Sequence, residues 1–282
     1  MCLIVFAWQV VPGAPLVAAA NRDEYYERPA SPAGWWEDQP EIYAGRDLQA
    51  GGTWIGITRS GRFAALTNIR NPADKRSDAP SRGALTTDFL RGVTTAEHYV
   101  AQLREKADRY NGFNLLVGDR DQLVWYSNRG DDDLRNGRAL APGLYGLSNA
   151  QLDTPWPKVV RTKAQFASLL CQGATQDAYF DMLADTTIAS DCRLPKTGVD
   201  IETERWLSPV LIRSASYGTR VSTIVTLRQD GSSALLERPV ATTQDEPGHQ
   251  CDMPLRKGNR IATCGMPASS NTSPSSTNPN RR

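Results

Sequence analysis

The sequence predicts an α+β fold in which antiparallel sheets are covered by helices. Three observations carry that expectation. Apolar stretches of strand length come in consecutive pairs joined by short turns, helical spacing is confined to the interior of the chain, and no strand-helix-strand unit repeats. The 282 residues suffice to bury a full core, and 40% hydrophobic against 22% charged is the balance of one large domain.

Residues 3–11 and 16–20 are apolar, the first run rich in Val, Ile, Phe and Trp. Pro12, Gly13, Ala14 and Pro15 supply the turn between them, so the pair reads as a hairpin. The second strand of that hairpin ends in a polar cluster, Asn21, Arg22, Asp23 and Glu24. Residues 54–58 and 62–67 form another pair across Ser60 and Gly61. Helical spacing follows at 87–90 and 96–107, with Thr94 or Thr95 as N-cap, then a strand pair at 113–117 and 122–127. Helices over 158–170 and 176–183 precede a last hairpin, 217–227 with 232–238, closed over Asp230 and Gly231. From Thr242 the periodicity gives way to Ser, Thr, Asn, Pro and Arg. One domain is therefore expected over 1–241 and a disordered tail over 242–282.

Composition removes several function classes. Lys and Arg number 32 against 31 Asp and Glu, a formal charge of +1, so no global field draws the chain to nucleic acid or an anionic membrane. The apolar opening at 2–20 lacks a basic leader, is broken by Pro12, Gly13 and Pro15, and is too short to span a bilayer. A cytoplasmic protein without integral membrane association is expected. Cys2, Cys171, Cys192, Cys251 and Cys264 are widely spaced and contain no CxxC pair, which predicts neither a disulfide framework nor a metal site. A P-loop, a dinucleotide fingerprint and an HExxH motif are missing as well, so no cofactor is implied.

Chemistry concentrates at the start of the chain. A small side chain after Met1 suits removal of the initiator, and Cys2 would then carry both a thiol and a free α-amine. Amine and thiol titrate near ~7.7–8.0 and ~8.5, so the pair can exchange a proton without a histidine. That matters in a sequence with only 2 histidines, His98 and His249. Pairing of the first two strands would bring Arg22 and Asp23 near Cys2. A guanidinium lowers a thiol pKa, and a carboxylate can hold an amine. The bland alternatives are a small buried cysteine at the start of a strand and a charged strand end entering a loop.

Met1 and Cys2 followed by Ala19, Ala20, Asn21, Arg22, Asp23 and Glu24 resemble the start of the NRDE family, also called the transport and Golgi organisation protein two family. Further blocks agree in order: Gly51 to Gly56, Ala64 to Asn68, Tyr110 to Leu115, Tyr145 to Asn149 with Thr154, Pro155 and Trp156, and Tyr217 to Arg220 with Ser222 and Thr223. That family in turn resembles the choloylglycine hydrolase and penicillin acylase branch of the N-terminal nucleophile hydrolases. The resemblance implies a four-layer αββα sandwich. It also implies Cys2 as nucleophile, Arg22 and Asp23 flanking it, Asn68 and Asn149 in an oxyanion hole, and Arg220 as a second arginine nearby. The implied reaction is hydrolysis of an amide or related acyl bond of a small-molecule substrate. Arg22 and Asp23 are adjacent here, whereas a gap separates the pair in that branch.

Two competing chemistries are written in the same residues. Gly146, Leu147, Ser148, Asn149 and Ala150 approximate a serine nucleophile elbow, with Asp153 and His249 as later partners, yet Ala150 occupies the final glycine position. The family resemblance also implies a non-catalytic alternative, a carrier that takes haem or another hydrophobic metabolite as cargo rather than as cofactor. Trp35, Trp36 and Trp54 would line its pocket, with Cys2, His98 or a methionine as a weak iron ligand. His98 lies in a polar helical stretch, and tryptophans more often complete a core.

Overall fold

The computed structural model describes residues 2–241 and the backbone of a strand at Arg260–Cys264. The first half of the chain contributes β1 (Cys2–Val11), β2 (Ala14–Tyr25), β3 (Ala30–Trp35), β4 (Ile42–Asp47), β5 (Ile55–Thr58), β6 (Phe63–Asn68), α1 (Gly83–Arg91), α2 (Ala96–Arg104), β7 (Phe113–Gly118) and β8 (Leu123–Ser127). The second contributes β9 (Arg138–Ala139), β10 (Gly143–Leu147), α3 (Pro157–Gln172), α4 (Gln176–Leu183), α5 (Ile201–Trp206), β11 (Tyr217–Leu227), β12 (Ser233–Pro239) and β13 (Arg260–Cys264). Antiparallel pairing gives a six-stranded sheet in the order β10-β1-β2-β11-β12-β13 and a seven-stranded sheet running β3 to β9 in sequence.

The layer order follows from strand parity. Successive strand residues point to opposite faces. In β1, Ile4, Phe6 and Trp8 enter a core shared with Tyr43, Ile57, Phe63, Leu116 and Trp125 of the other sheet. Their alternates Leu3, Val5 and Ala7 pack on Val159 and Phe166 of α3 and Phe180 and Leu183 of α4. On the far side of the seven-stranded sheet, Ala64, Leu66, Leu115 and Val117 meet Leu85, Phe89, Val100 and Leu103 of α1 and α2. Both sheets are buried on both faces, which is why β1 reads as a continuous apolar run from Leu3 to Trp8. The result is the four-layer αββα sandwich.

Local signals fix several boundaries. Thr95 caps α2 through its side chain to the His98 amide, and Pro157 opens α3. Gly173 closes α3 in the left-handed region at φ 60°, a conformation glycine adopts without a Cβ penalty. Other elements exceed what the sequence predicts. The polar cluster at the end of β2 is strand, continued to Tyr25 because β11 pairs with it on one side while Arg22 opposes Cys2 on the other. Edge strands β3 and β10 carry Pro32, Gly34, Gly143 and Gly146, and only their neighbours β4 and β1 hold them extended. The expected tail beyond Thr242 lies outside the described residues except for β13, which pairs with β12.

Candidate active site

A cavity of about 990 Å³ opens where the ends of the two sheets meet, lined in part by Cys2, Arg22, Asp23, Asn68 and Asn149. Five of the six residues expected at the site are thereby brought together. Arg220 is not. It sits at the bulge between Thr219 and Val221, and its Nη1 donates to the carbonyls of Tyr25 and Arg28, at 2.8 and 3.0 Å. Those bonds hold the guanidinium on the backbone of the β2-β3 turn, whose Tyr25 and Arg28 border the cavity.

Cys2 opposes Arg22 in the β1-β2 ladder. By strand parity both side chains face the space between the sheets, whereas Asn21 and Asp23 face the helices α3 and α4. The contacts bear this out. The Arg22 guanidinium lies over Trp54, 4.3 Å from the ring centroid, and 4.0 Å from Glu24. Asn21 donates to the carbonyls of Leu183 and Val210 at 2.9 and 3.0 Å and accepts from Ser222 Oγ at 2.6 Å. Asp23 accepts from Thr219 Oγ1 at 2.6 Å, and Thr219 also accepts from the Ile212 amide. Adjacent in sequence, Arg22 and Asp23 thus serve opposite sides of one strand.

The Asp23 backbone amide weakly favours the Cys2 thiolate. Burial nevertheless pushes the Cys2 thiol above its ordinary value, and the Asp23 carboxylate adds to this while the chain's amino terminus and Arg22 oppose it. Lowering of the thiol by Arg22, expected from sequence, is present but outweighed by desolvation. Asp23 is only 2% exposed. Burial raises its carboxyl, against the opposing charge of the chain's amino terminus and, after it, Lys158, the Thr219 hydrogen bond and Arg70.

Both sheets contribute to the wall beside Cys2: Thr67 and Asn68 end β6 of the seven-stranded sheet, and Ser148 and Asn149 follow β10, the neighbour of β1. Asn149 Nδ2 donates to the Asn68 carbonyl at 2.8 Å, the Asn149 carbonyl accepts from the Arg70 amide at 2.7 Å, and Thr67 Oγ1 donates to the Ser148 carbonyl at 2.6 Å. Behind them Asn114 links Thr67, the Ala150 carbonyl and Trp125. Ser148, the elbow candidate, spends its hydroxyl on the Cys2 carbonyl at 3.0 Å. Asp153 is taken by Arg135 and Lys163, and His249 lies outside the described residues.

Charged residues unforeseen in the sequence complete the site. Arg70 lines the cavity and pairs with buried Glu204 of α5 at 2.5 Å. Lys158, at the start of α3, is 2% exposed and donates to the Leu207 carbonyl at 3.0 Å. The readable signal for Lys158 was its helical spacing to Thr162 and Phe166, which puts a cation on the buried stripe of α3. Of the residues suggested for a haem pocket, Trp54 lines the cavity. Trp36 instead donates to the Ala44 carbonyl in the α1-α2 core, Trp35 lies beneath Arg59, and His98 contacts Gln102 on the exposed face of α2. Among the described residues no cluster of three or more His, Cys, Asp or Glu is arranged to hold a metal, and no helix is long and apolar enough to cross a membrane.

Residues 1–242 match the family model described as Transport and Golgi organisation 2. The chain belongs to that family. Within the Transport and Golgi organisation 2 family it is 35% identical over 259 residues to the Transport and Golgi organization protein 2 homolog of Bos taurus, covering 84% of this chain and 92% of the relative. Identity and coverage are the same for the Homo sapiens homolog, 35% over 259 residues, 84% and 92%. Among solved structures, a Caenorhabditis elegans N-acylethanolamine-hydrolyzing acid amidase ortholog is similar at 10% identity and a TM-score of 0.43, over 79% of this chain and 92% of that one.

Proposed function

We propose that this member of the Transport and Golgi organisation 2 family is a cytoplasmic cysteine hydrolase acting on an amide or related acyl bond of a small molecule, with Cys2 as nucleophile. The observation that carries the reading is the meeting of Cys2, Arg22, Asn68 and Asn149 in one cavity. After removal of Met1, the Cys2 α-amine takes the thiol proton as Sγ attacks the substrate carbonyl. Because burial keeps the thiol protonated, proton transfer accompanies attack. The tetrahedral oxyanion is met by the side-chain amides of Asn68 and Asn149. Asn149 uses one Nδ2 hydrogen on the Asn68 carbonyl and offers the other. One such donor is typically worth about 10²–10³ in rate. The amine then returns the proton to the leaving nitrogen, the carbon-nitrogen bond breaks, and water hydrolyses the thioester.

Intact mass before and after an acyl electrophile tests the proposal. The purified chain is expected to begin at Cys2 and to gain one acyl group that Cys2→Ala does not gain. Retained Met1, or equal labelling of Cys2→Ala, would end the hydrolase reading. A second reading, a carrier of haem or another hydrophobic metabolite, draws on the size of the cavity and on Trp54 in its wall. It predicts a saturable Soret change on haem titration, lost when Cys2 is replaced; a response no larger than that of an albumin control removes it.

A further inference from the structure

Thr219 faces a side of β11 that strand alternation denies it. Further along the strand Val225 and Leu227 enter the core between the sheets and Ile224 packs toward the helices. An uninterrupted β11 would therefore turn its odd residues, Thr219 included, toward the inner core. The ladder with β2 breaks that count. It steps from Val221 opposite Arg22 to Thr219 opposite Asp23, and Arg220 is the extra residue of the bulge. Residues directly opposite one another share a face, so the bulge turns Thr219 to the helix side together with Asp23. Thr219 is 1% exposed there. The Ile212 N-H, which can only donate, reaches Thr219 Oγ1 at 2.9 Å, and the hydroxyl hydrogen goes to Asp23 Oδ1 at 2.6 Å. Tyr217 of the same strand donates its hydroxyl to the Asp23 carbonyl at 3.1 Å, so β11 holds the backbone of Asp23 as well as its side chain.

We infer that Thr219 is a positioning residue for this site: the bulge at Arg220 aims its hydroxyl at the Asp23 carboxylate and fixes Oδ1 of that carboxylate as an acceptor at the end of β2. The β1-β2 register gives the held carboxylate its use. Cys2 opposes Arg22 and the strands are antiparallel, so the backbone nitrogen of Cys2 lies at the end of β1 that runs toward Asp23. The Cys2 thiol shares the inner face with Arg22, whereas the α-amine of the mature chain is a main-chain group and belongs to neither face. A fixed acceptor beside it orients the amine and stabilises the ammonium formed when the amine takes the thiol proton. That use of Asp23 rests on the hydrolase reading above, whereas the aiming of Asp23 by Thr219 does not.

Carbon-13 NMR of the full chain, labelled at Asp carboxyls and assigned with Asp23→Asn, reads the aiming without any substrate. Thr219→Val keeps a β-branched side chain of similar shape and removes the hydroxyl; Thr219→Ser keeps the hydroxyl. The titratable and charged groups coupled electrostatically to Asp23 are the amino terminus and Cys2 on β1, Lys158 on α3, Arg70 after β6 and Tyr217 on β11. Neither substitution alters any of them. Thr219→Val is expected to move the Asp23 titration upward by about one unit, a tenfold change in its ionisation constant, and Thr219→Ser to restore the parent value. In the parent protein the Thr219 hydroxyl proton is expected as a slowly exchanging signal that shifts as Asp23 titrates. An unchanged Asp23 titration in a folded Thr219→Val protein, or one that Thr219→Ser does not restore, overturns the assignment. If Thr219→Val does not fold, the parent hydroxyl signal decides, and its indifference to the Asp23 titration overturns the assignment. An Asp23 that depends on Thr219 in a protein whose Cys2 fails to label with an acyl electrophile would sink the hydrolase reading and leave Thr219 assigned.

Discussion

Two opposed effects decide the behaviour of Cys2. Desolvation raises its thiol, with Asp23 in support, while the chain's amino terminus and, after it, the Arg22 guanidinium pull the other way. The thiolate is the alkylating species, so at any pH below the thiol pKa the rate follows the thiolate fraction. The sign is then fixed: removing Arg22 removes a lowering influence, and the alkylation profile moves to higher pH. Arg22→Met is expected to alkylate at Cys2 about tenfold more slowly at pH 8 than the parent, measured by iodoacetamide uptake with mass detection. An unchanged rate would mean that the cation-π contact with Trp54, not the thiol, is what Arg22 serves.

At the scale of elements, β2 acts as a two-faced plate. Its even residues face the space between the sheets, Leu16 to Ala20 in the core and Arg22 and Glu24 in the cavity, and Asn21 on the opposite face anchors the segment that leaves α4. Asn21 is the clamp, since its side chain satisfies the carbonyls of Leu183 and Val210 together. Asn21→Leu would leave two buried acceptors and the Ser222 hydroxyl without their partner, costing about 2–5 kcal/mol. A fall in Tm on the order of 10 °C is expected. A melt within about 2 °C of the parent would deny Asn21 this role. The clamp explains why an asparagine precedes the two charged residues of the cluster: it fixes the chain that carries Thr219's partner Ile212.

Across the whole molecule, the site is also the place where the two sheets are fastened. Asn149 with Asn68 and Ser148 with Thr67 join β10 to β6, and Glu204 with Arg70 ties α5 to the end of β6. Breaking one member of a buried ion pair leaves the other charge uncompensated. Glu204→Gln is therefore expected to lower stability by about 3–5 kcal/mol in urea unfolding, and the double variant with Arg70→Met to recover part of the loss. A single-variant loss no larger than that of an exposed pair would show that the fastening lies elsewhere.

The chain's own pattern determined the paired strands, the helices over 158–170 and 176–183, and the gathering of Cys2, Arg22, Asp23, Asn68 and Asn149, because apolar periodicity and turn chemistry are local properties and ordered motif blocks carry a family's geometry with them. Tertiary structure alone decided the rest. Edge strands β3 and β10 are held by neighbours distant in sequence. The guanidinium of Arg220 is captured by two carbonyls that only the β2-β3 turn delivers. Whether the Cys2 thiol is lowered or raised depends on how much water the assembled layers exclude. Desolvation and cross-layer charge pairing arise only when the layers meet, so no local stretch of sequence contains them.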